Sequence, residues 1–369
     1  MPQASPTVSV VIPNWNGQDL LPRCLSSLYS QTFTDFETII VDNGSVDQSC
    51  ALIERDFPRT RIIRLPENTG FANACNVGIA ASGATYIVLL NNDTQARPAW
   101  LEHLVGSIEQ APPDVACVTS KMLKMDNPEL IDDAGDFLTW RGGAFKRGNN
   151  QPAGNFDGDE EVMFPCAGAA LFRRSVLVEL EAFDDRFFAY MEDVDLGLRM
   201  RLSGYRCLYA ADAEILHVGH GSGIETSLYV FLTTRNRGYL FLKNIPARLL
   251  IKRIGSLLYG WLFFLVVHRG RWMYWRGSLA VLKNLPCLME KRREQGKRTK
   301  LSLLEIDQLL SQPWPEITLG QLIRKEWRGG VPGEQKGKCV AGNKYFRARR
   351  LEGLPPRLRV EGRHPLFRR

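Results

Sequence analysis

A chain of 369 residues with 44% hydrophobic and 24% charged content is ordinary for a globular protein with a sizeable core, and it has room for one large domain plus an appendage or for two domains. Its net charge of +7 is uneven: 20 Lys and Arg stand against 9 Asp and Glu between Pro286 and Arg369, which leaves residues 1–285 near −4, so the basic character belongs to the tail and says nothing about the main domain. The eight cysteines are scattered singly with no Cys-x-x-Cys pair, which excludes a zinc knuckle or a dithiol redox site and fits a reducing compartment.

Met1-Pro2-Gln3-Ala4-Ser5-Pro6 shows no charged region followed by an apolar one, so no signal peptide is expected. Val8 to Ile12 reads as a strand stopped by Pro13. Leucines at 20, 21, 25 and 28 predict a helix over 18–30. Phe36 to Val41 is a second strand, ending in Asp42-Asn43-Gly44-Ser45. A helix follows from Val46 to Phe57, with Ser45 as N-cap. Arg61 to Leu65 is a third strand, and an Ala-rich helix spans 70–82 with Gly83 as its stop. Tyr86 to Leu90 is uniformly bulky and apolar, as in a strand buried on both faces, and halts at Asn91-Asn92-Asp93. Four strand-helix alternations predict a mostly parallel α/β sheet. No Gly-x-Gly-x-x-Gly follows the first strand, so the dinucleotide fold loses support.

A helix over 98–110 and a strand over 115–120 come next. From Asp126 to Glu161 the pattern weakens, and this stretch reads as a long surface excursion at an acceptor site. Phe164 to Phe172 is small-residue-rich, with Gly168 allowing close backbone approach. Ser175 to Leu180 is a short helix, and 191–203 is a helix opened by acids. Residues 206–210 and 214–217 are extended. His217 and His220 bracket a Gly-rich loop able to wrap phosphate.

In open parallel sheets, ligands bind outside the carboxyl ends of the strands. Pro13-Asn14-Trp15-Asn16, Asp42 to Asp47 and Asn91-Asn92-Asp93 all fall at such ends. Trp15 offers a flat face to a nucleobase and Asp42 an acceptor to its edge. Asp93 can hold a hard divalent cation that grips a diphosphate. Each has a structural alternative: Trp15 as core, Asp42 as a cap, 91–93 as a turn. In the acidic helix, Glu192 and Asp195 share a face, and Arg199 pairs with Asp195. Helix-dipole stabilisation accounts for acids there, but three in four residues exceeds that need, and one unpaired carboxylate suits a general base.

Val-Val-Ile-Pro-Asn-Trp-Asn, Val41 to Ser45, Glu67-Asn68-Thr69-Gly70-Phe71-Ala72 with Asn76 and Gly78, Leu89 to Asp93, Met191 to Asp195 and His217 occur in order. Together they resemble the family 2 inverting glycosyltransferases, in particular the rhamnosyltransferase-like branch, over residues 7 to 240. The resemblance implies a GT-A fold, a mostly parallel sheet flanked by helices, and a nucleotide-diphosphate sugar donor. It implies Asp193 as catalytic base and a divalent cation, Mg2+ or Mn2+, on Asp93 and His217. It implies donor or acceptor contacts at Pro13, Trp15, Asp42, Asn68, Asn73, Asn76, Asn92, Gly168 and Glu192. Asn91 replaces the first acid of the family's Asp-x-Asp motif, which leaves a single carboxylate for the metal.

Leu228 to Asn244 is aromatic and basic. Residues 254–267 form a 14-residue apolar run, about 21 Å as a helix, against about 30 Å for a bilayer core. Flanking Arg and Trp residues suit a membrane interface, with a core hairpin or dimer contact as the alternative. A short helix is expected over 301–310 and disorder beyond Gly329. The expected organisation is a catalytic domain over 1–225, a helical membrane-interface region over 226–310 and a basic tail over 311–369. The expected activity is inverting transfer of a sugar, rhamnose first, to a lipid-linked or cell-surface glycan. It would take place on the cytoplasmic face of a bacterial inner membrane, with no specific nucleic acid as partner. A nucleotidyltransferase or a non-catalytic glycan- or lipid-binding scaffold are the rival readings.

Overall fold

The computed structural model describes residues 5–219 and 224–328. The chain divides into two compact units, one holding the described residues up to Phe137 and from Lys146 to 219, the other holding Leu138–Phe145 and the described residues from 224 onward.

In the first unit the order is β1 (Val8–Asn14), α1 (Leu21–Leu28), β2 (Phe36–Asn43), α2 (Ser49–Asp56), β3 (Arg61–Leu65), α3 (Phe71–Ala81), β4 (Tyr86–Leu90), β5 (Thr94–Ala96), α4 (Trp100–Gln110) and β6 (Val115–Lys124). Then come β7 (Ile131–Asp133), β8 (Asp136–Leu138) and β9 (Ala144–Lys146), the last two running into the Leu138–Phe145 segment of the other unit, followed by β10 (Glu160–Val162), β11 (Ala169–Arg173), α5 (Arg174–Glu179), α6 (Glu192–Leu202) and β12 (Arg206–His217). The large sheet runs β10-β12-β6-β11-β4-β1-β2-β3, with β5 on β12 and β7 on β6. β1, β2, β3 and β4 are mutually parallel, while β11 enters antiparallel between β4 and β6. Alternation along β4 sends Ile87 and Leu89 to one core and Tyr86, Val88 and Leu90 to the other. Both faces are covered, which is why this strand is apolar throughout. Emptying either side, as in Leu89→Ala, removes about 2–5 kcal/mol.

Local readings needed correction in several places. Pro13 does not stop β1: it pairs with Val41, and the ladder to β4 has already ended at Val11, where a missing N–H is tolerated. α2 begins at Ser49, so Ser45 does not cap it; Asp47 accepts the Ser49 N–H instead. Gly83 is not a left-handed stop, because α3 ends at Ala81 with Ser82 extended. The two extended pieces before His217 are one strand, with an irregularity between Ala210 and Glu214. The 126–161 stretch is no mere surface excursion. β7 and β10 join the main sheet, and Ile131, Asp133 and Ala134 are fully buried.

The second unit is helical: α7 (Thr226–Asn244), α8 (Ala247–Lys252), α9 (Ile254–Val267), α10 (Trp272–Lys283), α11 (Leu285–Arg298), α12 (Leu303–Leu309) and α13 (Leu319–Arg328). Trp314 stacks edge-on against Phe145, Tyr259 and Phe263. Residues 311–328 therefore belong to this unit rather than to a tail. Asp307 accepts from both Lys252 and Arg253, tying α12 to α8. No described helix is long and apolar enough to cross a membrane. The Gly-rich loop with His220, and the chain beyond Gly329, lie outside the described residues.

Candidate active site

The parallel strands end in a linked polar row. Asn14 closes β1 and donates to Asp42 at 3.1 Å, to Ser45 at 3.2 Å and to Ser49 at 3.2 Å. Asn92, just past β4, donates to Asn14 at 2.9 Å. Gly17 makes this closure possible, since a Cβ there would stand 2.2 Å from Asn14 Oδ1. Asp42 also accepts the Ser45 N–H, so its two oxygens fix the row as well as facing the strand end. Trp15 and Pro13 are half-buried, and the Trp15 indole makes no hydrogen bond or ring contact among the described residues.

The asparagines after β3 behave differently from expectation. Asn43 ties down the loop before α3, donating to Asn68 Oδ1 and to the Gly70 carbonyl while accepting from Thr69 N–H. Asn68 also accepts the Gly70 N–H, and Asn73 accepts from the Thr69 hydroxyl. Asn76 is buried and fully committed: it donates to the Phe183 carbonyl and to Asp185, and accepts the Phe183 N–H. The expectation that Asn76 contacts substrate is corrected by this bonding. It clamps the segment leading to α6 onto α3.

That segment is strained. Phe188, Tyr190 and Met191 all have φ near +65 to +69, a region that costs non-glycine residues about 1–3 kcal/mol each. Gly70 lets it approach, because a Cβ at 70 would lie 2.5 Å from the Phe188 carbonyl oxygen. The result is the start of α6 held in one pose. There, Asp195 is fully buried and paired with Arg199 at 2.8 Å, while Arg199 also donates to the Leu180 and Ala182 carbonyls. Asp195 is thus structural. Asp193 accepts the Val194 N–H at 2.8 Å, and the Ala167 backbone beside Gly168 favours its charged form. Burial raises its pKa above the ordinary carboxylate range. Glu192 is buried, its Oε2 has no hydrogen-bond partner among the described residues, and burial plus the neighbouring Asp193 push its pKa well up.

Asp93 and His217 meet because β5 pairs with the end of β12, with Thr94 opposite His217. The Val218 N–H donates to the Asp93 carbonyl. His217 Nε2 lies 3.2 Å from Asp93 Oδ1, and its Nδ1 lies 2.7 Å from Asp132 Oδ2. Asp132 in turn takes the Lys146 ammonium at 2.7 Å. Burial opposes a charged imidazole, yet the hydrogen bonds to Asp132 and Asp93 lift the His217 pKa to about 9. Burial also opposes a charged Asp93, but His217 holds its carboxyl below the usual range. The charge of Lys146 favours the ionised form of Asp93 and of Asp193 alike. Asp133, Asp136 and Cys166 bring their ligand atoms within 4.8 Å of one another. Burial raises both acids' pKa values, with the charge of Asp132 adding at Asp133 and the charges of Asp133 and Asp193 adding at Asp136.

Asp132, Asp133, Asp136 and Lys146 were missed in the sequence because they lie in the stretch read as irregular. Their signal was present: Ile131-Asp132-Asp133-Ala134-Gly135-Asp136 sets three acids within six residues beside a glycine.

A sheet whose parallel half ends in amides and acids, and whose antiparallel half delivers an acidic helix to the same edge, is the GT-A glycosyltransferase architecture. GalNAc-T7, solved with UDP, GalNAc and Mn2+, shares that fold with a TM-score of 0.59 at 13% identity, over 80% of this chain and 55% of that one. Residues 9–180 match the family described as Glycosyl transferase family 2. That match, just under half of the chain, and the relatives below support a family 2 glycosyltransferase. It is 25% identical over 323 residues to the N-acetylglucosaminyl-diphospho-decaprenol L-rhamnosyltransferase of Mycobacterium tuberculosis, covering 77% of this chain and 94% of that protein. It is 28% identical to the O-antigen biosynthesis protein RfbC of Myxococcus xanthus over 58% of this chain and 17% of that protein. The nucleotidyltransferase and scaffold readings give way to this assignment.

Proposed function

We propose that this chain transfers a sugar, rhamnose in the first instance, from a nucleotide-diphosphate donor to a hydroxyl of a lipid-linked or cell-surface glycan, inverting the anomeric carbon. The observation that carries the reading is the linked row Asp93–His217–Asp132–Lys146, which joins the proposed cation-holding pair to a second acid and a fixed positive charge. The likeness to a rhamnosyltransferase acting on a diphospho-decaprenol substrate supports both the sugar and the acceptor class.

Asp93 and His217 are the residues to hold a divalent cation. Their 3.2 Å separation suits two adjacent ligands of one ion at about 2.1 Å each. Such an ion, when bound, neutralises charge on the departing diphosphate. Asp132 holds the proton of His217 on Nδ1, so Nε2 is the nitrogen that gives up its proton when the ion binds. Lys146 fixes Asp132 and adds fixed positive charge.

Trp15 stacks on the nucleobase, and Asp42 receives its edge. Asn92, Pro13 and the backbone at Gly168 shape the donor seat, while Asn68 and Asn73 hold the loop that borders it. Asp193 takes the proton of the acceptor hydroxyl as that oxygen attacks. The new bond forms from the acceptor oxygen to the anomeric carbon, and the bond from that carbon to the diphosphate oxygen breaks on the opposite side. A carboxyl with a raised pKa is a better proton acceptor than an ordinary one. Glu192, whose pKa burial and the neighbouring Asp193 push well up, resists carrying a second negative charge beside it. The reaction is assigned to the cytoplasmic face of the inner membrane.

The test is full-length protein with a panel of nucleotide sugars, Mn2+ and a short polyprenyl-diphosphate N-acetylhexosamine acceptor. Transfer from one donor, with inverted product and loss in Asp193→Asn, is expected. Transfer undiminished in Asp193→Asn sinks the assignment of the base.

A further inference from the structure

The second unit carries two helical faces that nothing in the described structure covers. On α8 and α9, Ile251, Ile254, Leu258 and Leu262 recur every three or four residues; on α10, Trp272, Trp275, Leu279 and Leu282 do the same. All eight are between 41% and 74% exposed. The opposite faces are inward, through Gly260, Phe263 and Phe264 on α9 and Tyr274, Gly277 and Val281 on α10. The two helices are fastened together where Trp261 meets Tyr274 and Trp275, and where the Tyr274 hydroxyl donates to the Trp261 carbonyl. The pair is therefore a built hairpin rather than a frayed end.

Charge identifies the occupant. Between Glu225 and Glu290 there is no acidic residue at all; Arg248, Lys252, Arg269, Arg271, Arg276 and Lys283 are exposed, while Arg235 and Lys243 are buried. A face that joins exposed Leu, Ile and Trp with exposed cations complements an anionic lipid surface: apolar side chains enter the acyl boundary and Arg and Lys meet the headgroups. A second copy of the chain would bring these exposed cations against themselves. At 14 residues α9 reaches about 21 Å, short of a bilayer core of about 30 Å, so it lies in the surface rather than across it.

We infer that α8, α9 and α10 form a monotopic seat for an anionic membrane, on the face bearing Ile254, Leu258, Leu262, Trp272, Trp275, Leu279 and Leu282. This deepens the proposed function by naming the surface at which its acceptor is met, and rests on it only for that purpose.

Flotation tests it directly, using full-length protein with vesicles of phosphatidylethanolamine plus phosphatidylglycerol and vesicles of phosphatidylcholine alone. The wild type should float with the first and far less with the second. Leu258→Ser/Trp272→Ser/Leu282→Ser should lower its partitioning by about tenfold or more. Arg276→Glu/Lys283→Glu should erase the preference for phosphatidylglycerol. Circular dichroism and the hydrolysis of soluble donor should match wild type in both variants. A wild type that stays at the bottom of the gradient overturns the inference. So does a triple variant that floats unchanged, or a lipid-free dimer that the triple variant abolishes, since that would make the face a subunit contact. Absence of donor hydrolysis in protein that still floats counts against the enzymatic reading and leaves the seat intact.

Discussion

His217 Nδ1 stands 2.7 Å from Asp132 Oδ2, and this contact decides which nitrogen the imidazole presents to Asp93. With one proton fixed on Nδ1, Nε2 is the nitrogen that can shed its proton and become the lone-pair donor to an ion. Asp132→Asn offers an amide that can turn its N–H toward the ring and favour the wrong tautomer. Affinity for Mn2+ is expected to fall about 10- to 100-fold, measured by the electron paramagnetic resonance of free Mn2+. Lys146→Met, which leaves Asp132 in place, should cost less.

Asp193→Asn should lower the rate of transfer by about 10²- to 10⁴-fold and leave donor binding within a few-fold of wild type. Loss of donor binding in calorimetry would point to a structural role. Because burial raises the Asp193 pKa, and the base works only when deprotonated, the rate should decline on acidification at a higher pH than an ordinary carboxylate would allow.

The same burial has a cost in stability. For Glu192 and Asp193 the folded pKa exceeds the unfolded one. Each therefore opposes folding as pH rises above about 4, until the folded group ionises as well. Glu192→Gln is expected to raise the melting temperature at neutral pH and to leave it unchanged at strongly acid pH. An equal shift at both pH values would remove ionisation as the cause.

Gly70→Ala sets a Cβ 2.5 Å from the Phe188 carbonyl oxygen at a φ of +94. The 188–191 turn must give way, and Asp193 moves with it. A loss of about 1–3 kcal/mol in stability should accompany a drop in kcat larger than the change in KM. A variant with wild-type kcat would show that the pose of α6 is set elsewhere.

Asp307 binds Lys252 and Arg253, and the Arg253 hydrogen bond leads in holding its pKa at about 2. A depressed carboxylate stabilises the fold above its unfolded pKa, and that contribution is lost as pH falls from about 4 toward 2. Both cationic partners are partly in water, so Asp307→Asn should cost only about 1 kcal/mol at neutral pH. Thermal melts in strong acid should not separate the variant from wild type.

Much of the frame is legible in the sequence because it depends on short-range pattern. The uninterrupted apolar run of β4 announces a strand covered on both sides, and Asp93 follows from its end. The i, i+4 spacing of Asp195 and Arg199 likewise foretells their ion pair. What escapes is what depends on chain reversal. Asp132 meets His217 across 85 residues, and no local spacing announces that meeting. Ser45 looked like a helix cap because its type is right, but its hydroxyl was taken by Asn14 and the Asn16 N–H. Asn76 looked like a ligand group because it sits in a motif, while its amide is spent on Phe183 and Asp185. The α10 helix was seen only as a rim of Arg and Trp, since its stripe becomes visible once Tyr274 and Val281 are known to face inward.

The ladder between β5 and β12 sets Asp93 and His217 side by side through main-chain bonds, with Thr94 opposite His217 and Val218 reaching back to Asp93. Neither side chain is needed to build that ladder. On the proposed assignment of a divalent cation to this pair, the ion preference is therefore open to revision one residue at a time: replacing the imidazole at position 217 by a carboxylate or an amide would rewrite the affinity without asking the polypeptide to find a new shape.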